Sequence, residues 1–233
     1  LVGSEMCIRD SFLLCMLAAL LCRRLGKISS LRIICGMLRT MIYVGVYIGW
    51  GISIYKRVIQ KSVRNVLIFI AELIIFWFVV RTTKYFFTMD NQIARYLWYS
   101  YYIPMLFIPV AVLQAAFFLG KSEEYRLPKW LKGVYIPTAV LVLLVLSNDL
   151  HQLVFSFPVG SAWSDSHYTY GWGYYVVLVW EVVCALTAFV LMIYKCRHSQ
   201  KKKYLPLLGI GAAVLYAVLF ISGVAWVQEI GGD

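Results

Sequence analysis

The run VLIFIAELIIFWFVV, Val66 to Val80, is apolar at every position except Glu72. A hydrocarbon core of ~30 Å is crossed by roughly 20 apolar residues in a helix, fewer where polar ends reach the interface. Bounded by Asn65 and Arg81, the run has the length of one crossing. The rest of the chain agrees with it. It is 62% hydrophobic and 14% charged, with a mean hydropathy of +0.77, whereas a soluble domain lies nearer half apolar and a quarter charged. The sequence therefore predicts an all-α fold, a polytopic transmembrane helical bundle.

Working outward from that run, six spans are expected, at 36–55, 65–81, 99–120, 133–149, 172–194 and 204–227. The leader LVGSEMCIRDS, Leu1 to Ser11, is polar and unlike the apolar run FLLCMLAALLC that begins at Phe12. It reads as translated adapter sequence, so residues 1–11 are set aside from the fold. Residues 12–35 form a basic segment, read as an interfacial or truncated helix, and 36–233 form the transmembrane domain. The last residues, QEIGGD, end without a tail, and a fragment is expected.

The formal net charge of +11 raises nucleic acid as a partner. The basic residues, however, sit in short clusters between apolar runs, where they act as topology signals, and nucleic-acid binding is set aside. Lys56, Arg57, Lys61 and Arg64 fill the first loop; Lys121, Arg126, Lys129 and Lys132 the third; Lys195, Arg197 and Lys201 to Lys203 the fifth. The 150–171 loop has no Lys or Arg and carries Asp165. Lys and Arg collect in cytoplasmic loops, so these three loops are expected inside and the N-terminus outside, in a multi-pass cell-membrane protein. Arg23, Arg24, Lys27 and Arg32 disagree, because they lie on the side read as external. The even count leaves the sixth span ending outside, so a seventh helix is expected beyond Asp233.

Candidate chemistry is sparse. In LVLLVLSNDLHQLVFSF, Leu141 to Phe157, the residues Asn148, Asp149, His151 and Gln152 interrupt an apolar run at the end of the fourth span. They mark either the exit from lipid or the rim of an outward pocket. Asn148 and His151, three apart, are expected to share a helical face. The adjoining SAWSDSHYTYGWGYY, Ser161 to Tyr175, supplies Trp163 and Trp172, read as an interfacial aromatic belt or as a lid. The candidate ligand-binding set is Asp149, His151, Trp163 and Trp172. Deeper lie Glu72 and Glu181; a charge at mid-span costs roughly 2.5–3.5 kcal/mol, so both are expected to face the bundle interior, with Arg39 and Arg81 as possible partners. Pro104, Pro109 and Pro137 permit kinks, and Gly45 and Gly49 have the spacing that lets helices approach closely. The six cysteines show no CxxC spacing, so neither a zinc site nor a redox pair is indicated. There is no H-E-x-x-H and no Gly-rich phosphate loop, so neither an enzyme, a metal nor a cofactor is expected.

The order of FWFVVRTTKYFF (Phe76 to Phe87), ARYLWYSYYIPMLFIPVAVLQAAFFLGK (Ala94 to Lys121) and VLSNDLHQLVFSF (Val145 to Phe157) resembles the seven-transmembrane N-terminal sensor region of bacterial histidine kinases, from about residue 33 to the end. The resemblance implies a sensing and transmission module, a seventh helix, a cytoplasmic kinase core that this chain lacks, and a homodimer. Two rivals stand beside it. One is a small secondary transporter coupling through Glu72 and Glu181; the other is a membrane scaffold without a ligand.

Overall fold

The computed structural model describes residues 14–15, 17–26, 31–86, 91–122, 124–158, 168–198 and 213–214. A short helical stretch at 17–25 precedes α1, Arg32–Arg57, and α2, Lys61–Phe86. Next come α3, Asn91–Tyr99; α4, Tyr102–Phe118; α5, Lys129–Gly133; α6, Tyr135–Leu146; and the single turn α7, Asn148–His151. A minimal antiparallel pair, β1 (Phe155–Ser156) and β2 (Thr169–Tyr170), leads into α8, Trp172–His198. The register sets Phe155 opposite Tyr170 and Ser156 opposite Thr169.

Among the described residues, five helical stretches are long and apolar enough to cross a membrane: Arg32–Arg57, Lys61–Tyr85, Gln92–Phe118, Lys129–Leu146 and Trp172–Lys195. They overlap the ranges expected for the first five spans, starting earlier in the first four and stopping short of the expected end in the third and fourth. The helices begin or end in Arg32, Lys56, Arg57 and Lys61, whose long stems keep the charge at the interface while the backbone continues. The sixth expected span, 204–227, lies outside the described residues apart from 213 and 214.

Two crossings are broken near one end, and proline explains where. The third is interrupted at Ser100 and Tyr101, between α3 and α4, and the fourth at Val134, between α5 and α6. A proline ring clashes with the carbonyl four residues earlier and donates nothing to it. For Pro104 that carbonyl belongs to Ser100, and for Pro137 to Gly133, so each break lies upstream of its proline. Pro109 remains inside α4.

At the centre stands α4, buried along most of its length from Tyr102 to Phe118. It packs against α2, α6 and α8, while α1 lies on the outer side of α2. Lipid is as apolar as leucine, so helix association here rests on close packing and polar links. Ala111, Ala115 and Ala116 on α4 and Ala185 and Ala188 on α8 are buried and small enough to bring those helices together. Between α1 and α2 the link is polar: the Thr40 and Thr82 hydroxyls lie 2.7 Å apart. Gly45 and Gly49, by contrast, meet no neighbouring helix among the described residues; a side chain added at either would enter open space. Their spacing leaves an open face on α1 and not the close crossing expected of it.

Two cores divide the bundle. The first joins Ile54, Val66, Leu67 and Ile70 to Ala115, Phe118, Leu131 and Met192, near the end where the basic loops lie. The second joins Tyr99, Tyr102 and Leu106 to Val145, Val154, Phe155, Tyr174 and Val177 at the opposite end. The second core carries the polar site.

Candidate polar site at the α3–α7 end

The turn after α6 bends twice within a few residues. Ser147 closes α6 by returning its hydroxyl to Leu143 O at 2.7 Å. Gln152 ends α7 in the left-handed region, with φ 48°. Between them the chain presents Asn148, Asp149 and His151 in different directions, and each finds a separate partner.

Asn148 is wholly buried. Its Oδ1 accepts from the backbone N–H of Val154 at 3.0 Å and of Phe155 at 2.9 Å. Its Nδ2 donates to Phe155 O at 2.8 Å and to the Tyr99 hydroxyl at 3.2 Å. One amide thus supplies the backbone groups of residues 154 and 155 that a longer sheet would otherwise pair. The hairpin is fixed further by Gly171 N donating to Val154 O (2.9 Å) and Gly173 N to Leu153 O (3.0 Å). A Cβ at Gly171 would sit 2.1 Å from Leu153 O, so the close approach requires glycine there.

Asp149 faces α3. Its Oδ2 pairs with Arg95 Nη2 at 2.8 Å, and its Oδ1 accepts from the Tyr99 hydroxyl at 2.7 Å. Arg95 and Tyr99 are four apart on α3 and so share one face. The pair is only partly enclosed: the side chains keep 26% and 18% of their surface open. Tyr99 is fully buried and receives from Asn148 while donating to Asp149, which links the two sites.

His151 does not join them. Its Nδ1 accepts from Leu153 N at 3.0 Å, so its Nε2 carries the ring hydrogen and donates to Leu144 O at 3.1 Å. Leu144 O is one of the carbonyls left over at the α6 terminus, and His151 caps it. Asn148 and His151, three apart on the single turn of α7, thus reach different partners: Asn148 turns into the bundle and His151 turns back on α6.

Around Phe155, itself fully buried, the rings of Trp98, Tyr99, Tyr102, Tyr168, Tyr170 and Tyr174 pack with centroids 4.6–6.3 Å away. Trp172 and Tyr175 point the other way, 62% and 56% exposed. The aromatic segment thus divides: some of its residues plug the bundle, and the others face outward as an interfacial belt would. Trp163 lies outside the described residues, so of the candidate set only Asp149, His151 and Trp172 are located. They share one end of the bundle, but Asp149 and His151 reach different partners and Trp172 is exposed.

The deeper charges also separate. Glu72 is exposed on α2, on the side opposite the Val63, Leu67, Ile70 and Ile74 face. That inward face is already filled by apolar side chains, so the expectation of an interior Glu72 is corrected. Glu181 is buried, at 2% exposure. Arg81 rests its guanidinium over Trp77 and Tyr85, at 5.9 and 6.0 Å, and half-buried Arg39 forms no ion pair with either carboxylate. The expected Arg–Glu pairings are absent among the described residues.

Three participants escaped the sequence reading: Asn148 as the organising amide, and Arg95 and Tyr99 as the partners of Asp149. A usable signal was present in Arg95 itself, a cation at the end of the bundle opposite the basic loops, which calls for a nearby acid.

At the basic end a second polar link joins α4 and α8. Gly120, with φ 76°, turns the chain out of α4. Lys195 Nζ then donates to Ala116 O, Phe117 O and Leu119 O at 2.9, 2.8 and 3.1 Å. A cation on the final carbonyls also complements the helix dipole.

A family model described as the N-terminal 7TM region of histidine kinase matches residues 33–230. No curated protein and no solved structure matches the chain significantly.

Proposed function

Because the chain belongs to the family of N-terminal 7TM regions of histidine kinase, we propose that it senses a stimulus at the α3–α7 end and transmits it through α4 and α8 to a kinase core. The region is a multi-pass membrane sensing module; the site, the direction of transmission and the output are our reading. The observation that carries it is the Arg95–Asp149–Tyr99 link. It ties α7 to α3, is partly open to water, and continues through Asn148 into the hairpin from which α8 starts.

In this reading the α3–α7 end faces outward and the basic loops face the cytoplasm. A stimulus acts by favouring one of two arrangements, with the ion pair closed or open; equal affinity for both would shift nothing. Trp172, exposed at the same end, is available to an entering molecule, and Trp163 remains a candidate contact. His151 holds the α6–α7 corner in place and does not touch the stimulus. The kinase core would dimerise, so two copies of the bundle would stand side by side in the bilayer. The transporter reading is weakened by the separation of Glu72, on the outside of α2, from Glu181 in the interior.

The test is Asp149→Asn in membranes that carry the chain joined to its kinase core. Autophosphorylation is expected to become fixed at one level, changed several-fold from the unstimulated wild type and insensitive to stimuli that move wild type. Insertion and abundance are expected to stay unchanged. A variant that tracks wild type across those stimuli would remove the ion pair from the mechanism.

A further inference from the structure

The α4–α8 seam contains one ionisable group that the polar end does not use. Glu181 lies in the middle of α8 with 2% of its surface exposed, and its Oε1 has no hydrogen-bond partner among the described residues. The titratable groups close enough to feel it are Tyr102 from α4 and Tyr174 and Cys184 from α8 itself. From the hairpin, Tyr170 stacks on Tyr174 at 4.0 Å. On the α6 side the polar contact to α8 is between Thr138 and Trp180, neither of which titrates. No described cation faces the carboxyl.

An ionised carboxylate in such a place would lack both water and a counter-charge, and a buried charge without a partner neutralises instead. We propose that Glu181 is a proton-binding site within the seam: neutral while α4 and α8 are closed on each other, and ionising only when the seam admits water or a cation. The surroundings make this a two-position element. Ala185 and Ala188 on α8, and Ala111 and Ala115 on α4, are fully or almost fully buried, so there is little spare room for a solvated charge. Release of the proton therefore requires the helices to separate. This site stands apart from Asp149 and does not depend on the sensing role proposed for that residue.

Two measurements on the full chain in native membranes test it. A hydrophobic carbodiimide adds across the O–H of a neutral carboxyl: the proton passes to its nitrogen, the oxygen bonds its central carbon, and rearrangement leaves a stable N-acylurea. Peptide-resolved mass spectrometry is expected to find that adduct on Glu181, falling several-fold as pH rises from mildly acidic to alkaline. In parallel, Cys184, three residues along α8, reports water entry through alkylation by a membrane-permeant maleimide. Its thiol has its own pH dependence, and a charge at Glu181 would act against thiolate formation, so the additional several-fold rise expected of wild type at alkaline pH, and absent from Glu181→Gln, reports water entry. No Glu181 adduct at any pH would mean an ionised, paired carboxylate and would overturn the proposal. So would identical Cys184 profiles in wild type and E181Q. Should E181Q fail to insert, the carbodiimide profile on the wild-type chain decides alone.

Discussion

Asn148 makes four hydrogen bonds through one side-chain amide, all of them inside the second core. Two end on backbone N–H groups that have nowhere else to go, and an orphaned buried donor costs about 1–3 kcal/mol. Asn148→Ala is therefore expected to lose on the order of 3 kcal/mol or more, seen as a fall of several degrees in the thermal transition of detergent-solubilised protein. Asn148→Asp would keep both acceptor bonds but lose the donors to Phe155 O and the Tyr99 hydroxyl, and is expected to fall between the two. If Asn148→Ala melted with wild type, the amide would be incidental and the hairpin would stand on its aromatic packing. Little of this was legible beforehand. A polar residue where an apolar run ends reads as the edge of the lipid, and nothing in its immediate neighbours shows that it faces inward. Its partners at 99, 154 and 155 are set by tertiary folding: the turn at Ser147 aims it, and Gln152 brings the chain back beneath it.

At the level of whole helices, a latch closes each end of α4. One is the hairpin and aromatic plug around Phe155; the other is Lys195, reaching from α8 to the three carbonyls at the α4 terminus. Lys195→Met keeps much of the stem but removes the ammonium from Phe117 O and Leu119 O, while Ala116 O keeps the backbone N–H of Leu119. The α4–α8 packing is expected to loosen at that end, and hydrogen exchange of residues 117–121 is expected to accelerate several-fold, with Asn148 and the hairpin unaffected. Exchange that rose equally at both ends would indicate global destabilisation, not a local latch. The spans were legible because crossing a bilayer imposes a length of apolar sequence that no loop needs. Their breaks were legible in kind but not in place: Pro104 and Pro137 act on carbonyls at 100 and 133, so each interruption lies upstream of its cause. The burial of Glu181 was anticipated from the cost of a charge at mid-span, but that Glu72 would differ from it was not legible. Both sit in runs apolar on every side, which give no sign of which face meets a neighbour.

Across the whole molecule, the loop cations define an axis. Lys56, Arg57, Lys61, Arg64, Lys121, Lys129, Lys132 and Lys195 all fall at one end of the bundle, and Gln60 reaches Lys121 O and Ser122 O at that end, at 3.4 and 3.5 Å. Arg32, Arg81 and Lys84 lie at the other with the Arg95–Asp149 pair, so the two ends differ in the number of cations and not in sign. Lys and Arg resist translocation more than Asp and Glu promote it, so the basic end should stay in the cytoplasm. Exposed Ser122 and exposed Thr169 report the two ends, which makes the orientation measurable. With Ser122→Cys and Thr169→Cys made separately, a membrane-impermeant maleimide added to intact cells is expected to label the Thr169 variant above the parent chain. The Ser122 variant should label only after the membrane is opened. The reverse pattern would place Asp149 on the cytoplasmic side and end the reading of that end as the one a stimulus meets. Labelling of both in intact cells would mean two orientations coexist, which one strong basic end is expected to prevent.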